Sequence, residues 1–166
     1  MSSDSGDGAT SRVGSGCACP RVILTVGLPG SGKSTLLSNL RANAISSDAL
    51  RRQLADDESD QTIHNQVFAT MRYLLELRIA LQRPITYIDA TNLTRRDRRP
   101  FIDLARKFNC QPEALFFDVP LHICKARNAS RSRKVPEHAL DLMAARLVPP
   151  SIDEGFSHIE VVSNLP

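Results

Sequence analysis

The sequence predicts an α/β protein in which a parallel sheet carries helices on both faces. Three observations lead there. The β-branched run "RVILTVG" (Arg21–Gly27) lacks the polar alternation of a half-exposed strand and suits one buried on both sides. Further short apolar runs alternate with helical stripes, the spacing of strand–helix–strand units. A glycine-rich turn joins the first run to a helix start. At 166 residues, with 42% apolar and 23% charged residues, the chain has the length and composition of one soluble globular domain.

Residues 1–19 are mostly Ser, Gly, Asp and Ala and predict a disordered tail, which leaves 20–166 as the folded domain. After the glycine turn, "KSTLLSNL" starts a helix, "AISS" is a short second strand and "ALRRQLA" is a helix. The acidic run "DDESD" (Asp56–Asp60) reads as a loop whose Asp60 caps the next helix. That helix is marked by Ile63, Val67, Phe68, Met71, Leu74 and Leu75 and reaches about Gln82.

"PITYIDA" returns to strand. "TRRDRRPFIDLARKF" is a helix from near Thr94 that Pro100 is expected to kink or restart. On it Arg95 and Arg99 share one side, while Arg96 and Arg98 point away and are expected to be solvated. "EALFFDV" is a strand, followed by a basic helix from about Leu121 and a polar gap from Ser130 to Pro136. A helix from Glu137 to about Leu147 and a last strand, "HIEVVS", complete the order. There is no internal repeat.

Net charge is 21 − 18 = +3, unevenly placed: "LHICKARNASRSRK" (Leu121–Lys134) holds five bases and no acid. Cys17, Cys19, Cys110 and Cys124 form no CxxC and no zinc-type spacing, so reduced thiols in a cytoplasmic protein are expected. No run approaches the ~18 apolar residues of a membrane span. No basic-then-apolar leader opens the sequence.

"GLPGSGKST" (Gly27–Thr35) fits G-x-x-x-x-G-K-[ST] with a strand before it and a helix after. Chance would produce that pattern in such a chain on the order of once in a hundred. Glycines let the loop curl so that the N–H groups of Gly30, Ser31, Gly32, Lys33, Ser34 and Thr35 surround phosphate oxygens at a helix N-terminus. Lys33 reaches the β- and γ-phosphates, and the Ser34 hydroxyl ligates Mg²⁺. A nucleoside triphosphate site, with ATP and Mg²⁺, is the expectation.

The fate of the γ-phosphate turns on "SSDALRRQL". Asp48 follows the second strand, where such sheets place their chemistry, and can take a hydroxyl proton as general base or cap the next helix, or both. Arg51 lies one turn on, over the same face, and can hold an acceptor phosphate. Asp89 ends its strand in the position of a Walker B carboxylate, accepting from a Mg²⁺-bound water.

"GLPGSGKST", "SSDALRRQLADDESDQT", "DATN" and "RNASRSRKVPEHAL" together resemble polynucleotide 5′-hydroxyl kinases, in particular the kinase module of bacterial end-healing RNA repair enzymes (polynucleotide kinase-phosphatase). The likeness runs from about Val22 to Val162, and its D-x-x-R and R-N-x-x-R elements are far more specific than the P-loop. It implies a P-loop NTPase fold of adenylate-kinase-like strand order with a short basic lid. It also implies Asp48 as base toward a 5′-OH and Arg51 on the neighbouring strand phosphate. Arg131 would stabilise the β- and γ-phosphates from the lid, and Arg127 would lie at the adenine or its phosphates.

Thr91 and Asn92 match the family's T-N near the acceptor. Arg95 or Arg99 is the candidate for a backbone phosphate, Arg99 being carried forward, while Arg133 and Lys134 read as bystanders. Family members join this module to phosphatase and ligase domains, which are the implied partners beside 5′-OH RNA or DNA ends. Aromatics make up only 5% of the chain and none is interleaved with the basic residues, so few base-stacking platforms are expected. The alternatives are a kinase of small-molecule hydroxyls and a nucleotide-binding module without transfer.

Overall fold

A computed structural model describes residues 19–163, so all of the expected tail except Cys19 lies outside the described residues. Five strands, β1 (Arg21–Val26), β2 (Ala44–Ser46), β3 (Ile85–Asp89), β4 (Gln111–Phe117) and β5 (His158–Val162), form one sheet. Their order is β2-β3-β1-β4-β5 and every neighbouring pair is parallel, the adenylate-kinase-like arrangement expected. The helices are α1 (Lys33–Asn39), α2 (Ser47–Ala55), α3 (His64–Ala80), α4 (Arg95–Lys107), α5 (Leu121–Ala129) and α6 (Glu137–Arg146). Among the described residues no helix is long and apolar enough to cross a membrane.

Central position explains the unbroken apolar run of β1. Val22, Leu24 and Val26 pack with Val67, Met71, Leu75, Phe101 and Ile102 in one cluster. Ile23 faces the opposite side with Leu115, Phe117 and Leu36. Each such side chain withdrawn from water contributes about 1.5–3 kcal/mol, and the one buried polar residue of the strand, Thr25, has its hydroxyl satisfied by the carbonyls of Ile88 and Ala90. A third cluster, with Leu28, Leu93, Val119 and Cys124 at its centre and Ile123 and Met143 against it, packs beneath α5 and α6.

Helix starts correct several expectations. Ser46, not Asp48, caps α2, its hydroxyl accepting from the Ala49 N–H at 3.4 Å. Asp48 therefore sits in the first turn with its carboxylate left for other partners. Asp60 does not cap α3 either. It accepts from the N–H and hydroxyl of Thr62 at 2.7 and 2.6 Å, a local turn that satisfies it before the helix begins. Thr94 and Asp97 cap α4 reciprocally, the two-way bond that pins a helix entry. Pro100 neither kinks nor restarts α4, which runs unbroken from Arg95 to Lys107. Its missing N–H frees only the carbonyl of Arg96, an exposed first-turn residue where solvent supplies the bond.

Arg98 departs furthest from expectation. Its side chain is 0% exposed rather than solvated. Nε and Nη2 reach the two Glu154 oxygens at 2.8 and 2.7 Å, and Nη1 donates to the carbonyls of Asn92, Leu93 and Val148. Glu154 closes a 3₁₀ turn, Ile152–Glu154, whose capping box with Ser151 is a local S-x-x-E signal that the sequence reading passed over.

Candidate active site

Because all five strands are parallel, the loops after β1, β2 and β3 open at the same end of the sheet. Register ties them together. Ser46 lies opposite Asp89, and the Gly27 N–H bonds the Thr91 carbonyl at 3.0 Å. The glycine loop, the first turn of α2 and the end of β3 therefore adjoin.

The loop holds positive φ at Gly27, Gly30 and Gly32 (155°, 83° and 98°). At Gly30 a Cβ would stand 2.4 Å from the Cys124 carbonyl oxygen of α5, so no side chain fits. Gly32 caps α1 and turns the helix N-terminus onto the loop. Ser31 is buried and its N–H bonds the Leu28 carbonyl at 3.1 Å. Lys33 is buried as well, and Nζ donates to the carbonyls of Gly27 (2.9 Å) and Leu28 (2.7 Å) and to Ser31 Oγ (3.4 Å). Burial pulls its pKa down to about 8; the Asp89 charge opposes this and Arg131 adds to it, so Arg131 lies within the field of Lys33.

Ser34 and Thr35 stand exposed at the start of α1. The Ser34 hydroxyl donates to Asp89 Oδ2 at 3.0 Å. Burial raises the Asp89 pKa, against the Ser34 hydrogen bond and the Lys33 charge. A hydroxyl and a carboxylate in contact suit Mg²⁺, a hard cation that takes one or two protein oxygens and fills its shell with phosphates and water. Among the described residues no group of three or more His, Cys, Asp or Glu forms an all-protein cage.

Across the cleft stands Asp48, its side chain 57% exposed. Arg51 is buried; Nη1 donates to Asp48 Oδ1 at 3.2 Å and Nη2 lies 3.5 Å from His64 Nδ1. Arg51 Nε is buried and has no partner. An orphaned donor costs about 1–3 kcal/mol, and this one lies on the guanidinium that also bonds the Asp48 carboxylate.

Residues 130–136 form the basic loop between α5 and α6. Asn128, buried at the end of α5, staples its far end by donating Nδ2 to the Val135 carbonyl (2.8 Å) and accepting from the Val135 N–H (3.0 Å). Arg131 is exposed on this loop and its N–H bonds the Asn128 carbonyl at 3.2 Å. Arg127 is half-buried on α5.

Three residues here escaped sequence reasoning: Arg133, Asn128 and His64. Arg133, read as a bystander, lies with Nη1 3.3 Å from Asp48 Oδ2 and 4.0 Å from Glu58. Asn128 lies within the R-N-x-x-R element and bonds a residue only seven positions on. For Arg133 and His64 the partners are remote in sequence, and no spacing rule could pair them.

The opening of α4 also differs from expectation. Asn92 is 1% exposed, and its amide donates to the Thr25 carbonyl at 2.8 Å. The amide thereby braces β1, while Oδ1 is buried without a partner. Thr91 is half-buried with its carbonyl engaged by Gly27. Arg95 is held by Asp153 and Ser151 at 2.7 and 2.9 Å. Arg99 is exposed, 3.5 Å from Asp103, and keeps its candidacy for a backbone phosphate.

Residues 22–150 match the family described as AAA domain. The bifunctional polynucleotide phosphatase/kinase of Schizosaccharomyces pombe is 25% identical over 148 residues, covering 85% of this chain and 33% of that protein. A chain of the Pnkp1/Rnl/Hen1 RNA repair complex superposes with a TM-score of 0.66 at 21% identity, over 78% of this chain and 44% of its own length. This chain thus spans less than half of each. A gluconokinase from Sinorhizobium meliloti shares the fold at a TM-score of 0.58 and 17% identity, over 87% of this chain and 82% of that one.

Proposed function

The chain belongs to the family described as AAA domain and has a P-loop kinase fold, and on that premise we propose that it transfers the γ-phosphate of ATP to the 5′-OH of RNA or DNA. Residues 20–166 would act as the kinase module, with phosphatase and ligase activities as its partners in end repair. The observation that carries the reading is the Asp48–Arg51 pair at 3.2 Å, with Arg51 Nε buried and unpartnered. A strand end offers a hydroxyl and, beside it, a phosphate, and this pair supplies a carboxylate for the first and a guanidinium for the second. The name of the fission-yeast relative and the repair complex of the structural neighbour support the same acceptor.

In this mechanism the glycine loop holds the triphosphate through backbone N–H groups. Lys33 leaves its own loop's carbonyls for phosphate oxygens, and Arg131 closes over the transferred group with a forked contact. Ser34 would ligate Mg²⁺ directly and Asp89 through water; the ion, when bound, offsets charge on the β- and γ-phosphates. Arg51 fixes the acceptor, and Asp48 takes the 5′-OH proton as its oxygen attacks in line.

A small-molecule hydroxyl is the second reading, favoured by fold similarity over 82% of the gluconokinase chain. Label transfer from γ-labelled ATP with Mg²⁺ to matched 5′-OH and 5′-phosphate oligonucleotides, RNA and DNA, beside a panel of sugars, separates the two. We expect label on the 5′-OH strands alone, falling about 10²–10⁴-fold in Asp48→Ala. Label on a sugar and on no strand would establish the second reading.

A further inference from the structure

Beyond Arg51 the acceptor side holds a feature that no motif suggested. Phe101 is 0% exposed in the core of α4. Phe68 of α3, half-buried, packs on it with ring centroids 6.2 Å apart. His64, one turn earlier on α3 and exposed, stacks on Phe68 at 4.4 Å with the planes tilted by 32°. A three-ring ladder thus climbs from the core to the surface and ends in an open ring.

That ring is held at its edge. Arg51 Nη2 lies 3.5 Å from His64 Nδ1. A guanidinium has no acceptor, so Nδ1 must accept and the ring proton sits on Nε2. Burial and the Arg51 charge lower the His64 pKa, so the ring stays neutral at neutral pH and repels no neighbouring cation. The outcome is a flat, neutral, exposed aromatic fixed beside the donor that has no partner, Arg51 Nε.

We propose that His64, backed by Phe68, is a stacking platform for a nucleobase of the acceptor next to the phosphate that Arg51 receives. The site then selects a nucleoside end and not merely a hydroxyl beside an anion. His64 would add one ring to the few base-stacking platforms expected from aromatic content, in which a histidine is not counted. The inference rests on the polynucleotide reading above.

The test compares steady-state phosphorylation of a 5′-OH oligonucleotide with the same strand abasic at its first or its second nucleotide. Wild type, His64→Ala and His64→Phe are run side by side. Base–aromatic stacking predicts that His64→Ala raises KM for the intact strand about tenfold with a smaller change in kcat, whereas His64→Phe, which keeps a stacking face but not the acceptor for Arg51 Nη2, recovers much of that loss. One of the two abasic strands should raise the wild-type KM equally and erase the difference between wild type and His64→Ala.

Three results overturn the platform: an unchanged KM in His64→Ala, a full His64→Ala effect on both abasic strands, or His64→Phe no better than His64→Ala. If wild type phosphorylates no strand but does use a small hydroxyl, the polynucleotide reading fails first and this inference falls with it. The two failures are therefore distinguishable.

Discussion

Arg98 and Glu154 meet as a forked ion pair in the interior, at 2.8 and 2.7 Å, with side chains 0% and 4% exposed. The pair joins the first turns of α4 to the 3₁₀ turn before β5, and Arg98 also takes three backbone carbonyls at that junction. Removing one partner leaves a buried charge uncompensated, which costs about 3–5 kcal/mol. Glu154→Gln should therefore lower the urea midpoint severely. Asp153→Asn, which weakens exposed contacts with Arg95 and Ser151, should leave it almost where it was. Equal midpoints for the two variants would contradict the structural role given to Arg98.

Lys33 couples nucleotide binding to pH. Burial lowers its pKa to about 8 in the folded protein, against the ordinary lysine value of 10.5 expected in the unfolded chain. Between those values the unfolded chain holds more protons, so this group makes stability rise with pH across the window; below about 8 both states are charged and the burial penalty is fully present. A polyphosphate on Nζ favours the charged form, so ATP binding takes up a proton around pH 8 and weakens above it. Calorimetry at pH 8 in buffers of different ionisation enthalpy reads the uptake directly. Lys33→Met should abolish it, and a wild-type signal independent of buffer would refute the assignment.

Arg133 spans from the basic loop to Asp48 Oδ2 at 3.3 Å. With Arg51 on Oδ1, both oxygens of the proposed base are engaged before an acceptor arrives. Arg133→Ala should therefore raise acceptor-independent ATP hydrolysis, by at most about fivefold because a half-exposed ion pair is worth no more than about 1 kcal/mol. Phosphate release measured without oligonucleotide decides the point: a rate equal to or below wild type makes the contact incidental.

Asn128 positions the loop that carries Arg131. Each of its two bonds to Val135 contributes about 0.5–1.5 kcal/mol net, and the loop end is released when both go. Asn128→Ala should lower both the melting temperature and kcat, whereas Arg131→Ala should lower kcat alone. Asn128→Asp keeps only the bond from the Val135 N–H and should fall between. An Asn128→Ala protein with wild-type turnover would show that the staple does not set the position of Arg131.

Much of the nucleotide end was legible in the chain because its signals are local. The glycine loop, its lysine and serine, and the helix they open lie within nine residues, Gly27–Thr35. Asp48 and Arg51 are one helical turn apart, so their meeting follows from helix geometry. The inward turn of the Asn92 amide was not legible, because the β1 carbonyl it bonds lies 67 positions away.

The sequence by itself determined the strand–helix order, the parallel sheet and the phosphate loop, since apolar periodicity and turn chemistry act between residues a few positions apart. Only the tertiary structure decided which polar side chains face the cleft and which face the core. Arg98 enters the interior because Glu154, 56 positions later, returns to neutralise it. Arg133, from the loop between α5 and α6, reaches Asp48, and His64, at the start of α3, stands beside Arg51, each brought there by the packing of helices. Such pairing depends on distances in space that residue spacing does not encode.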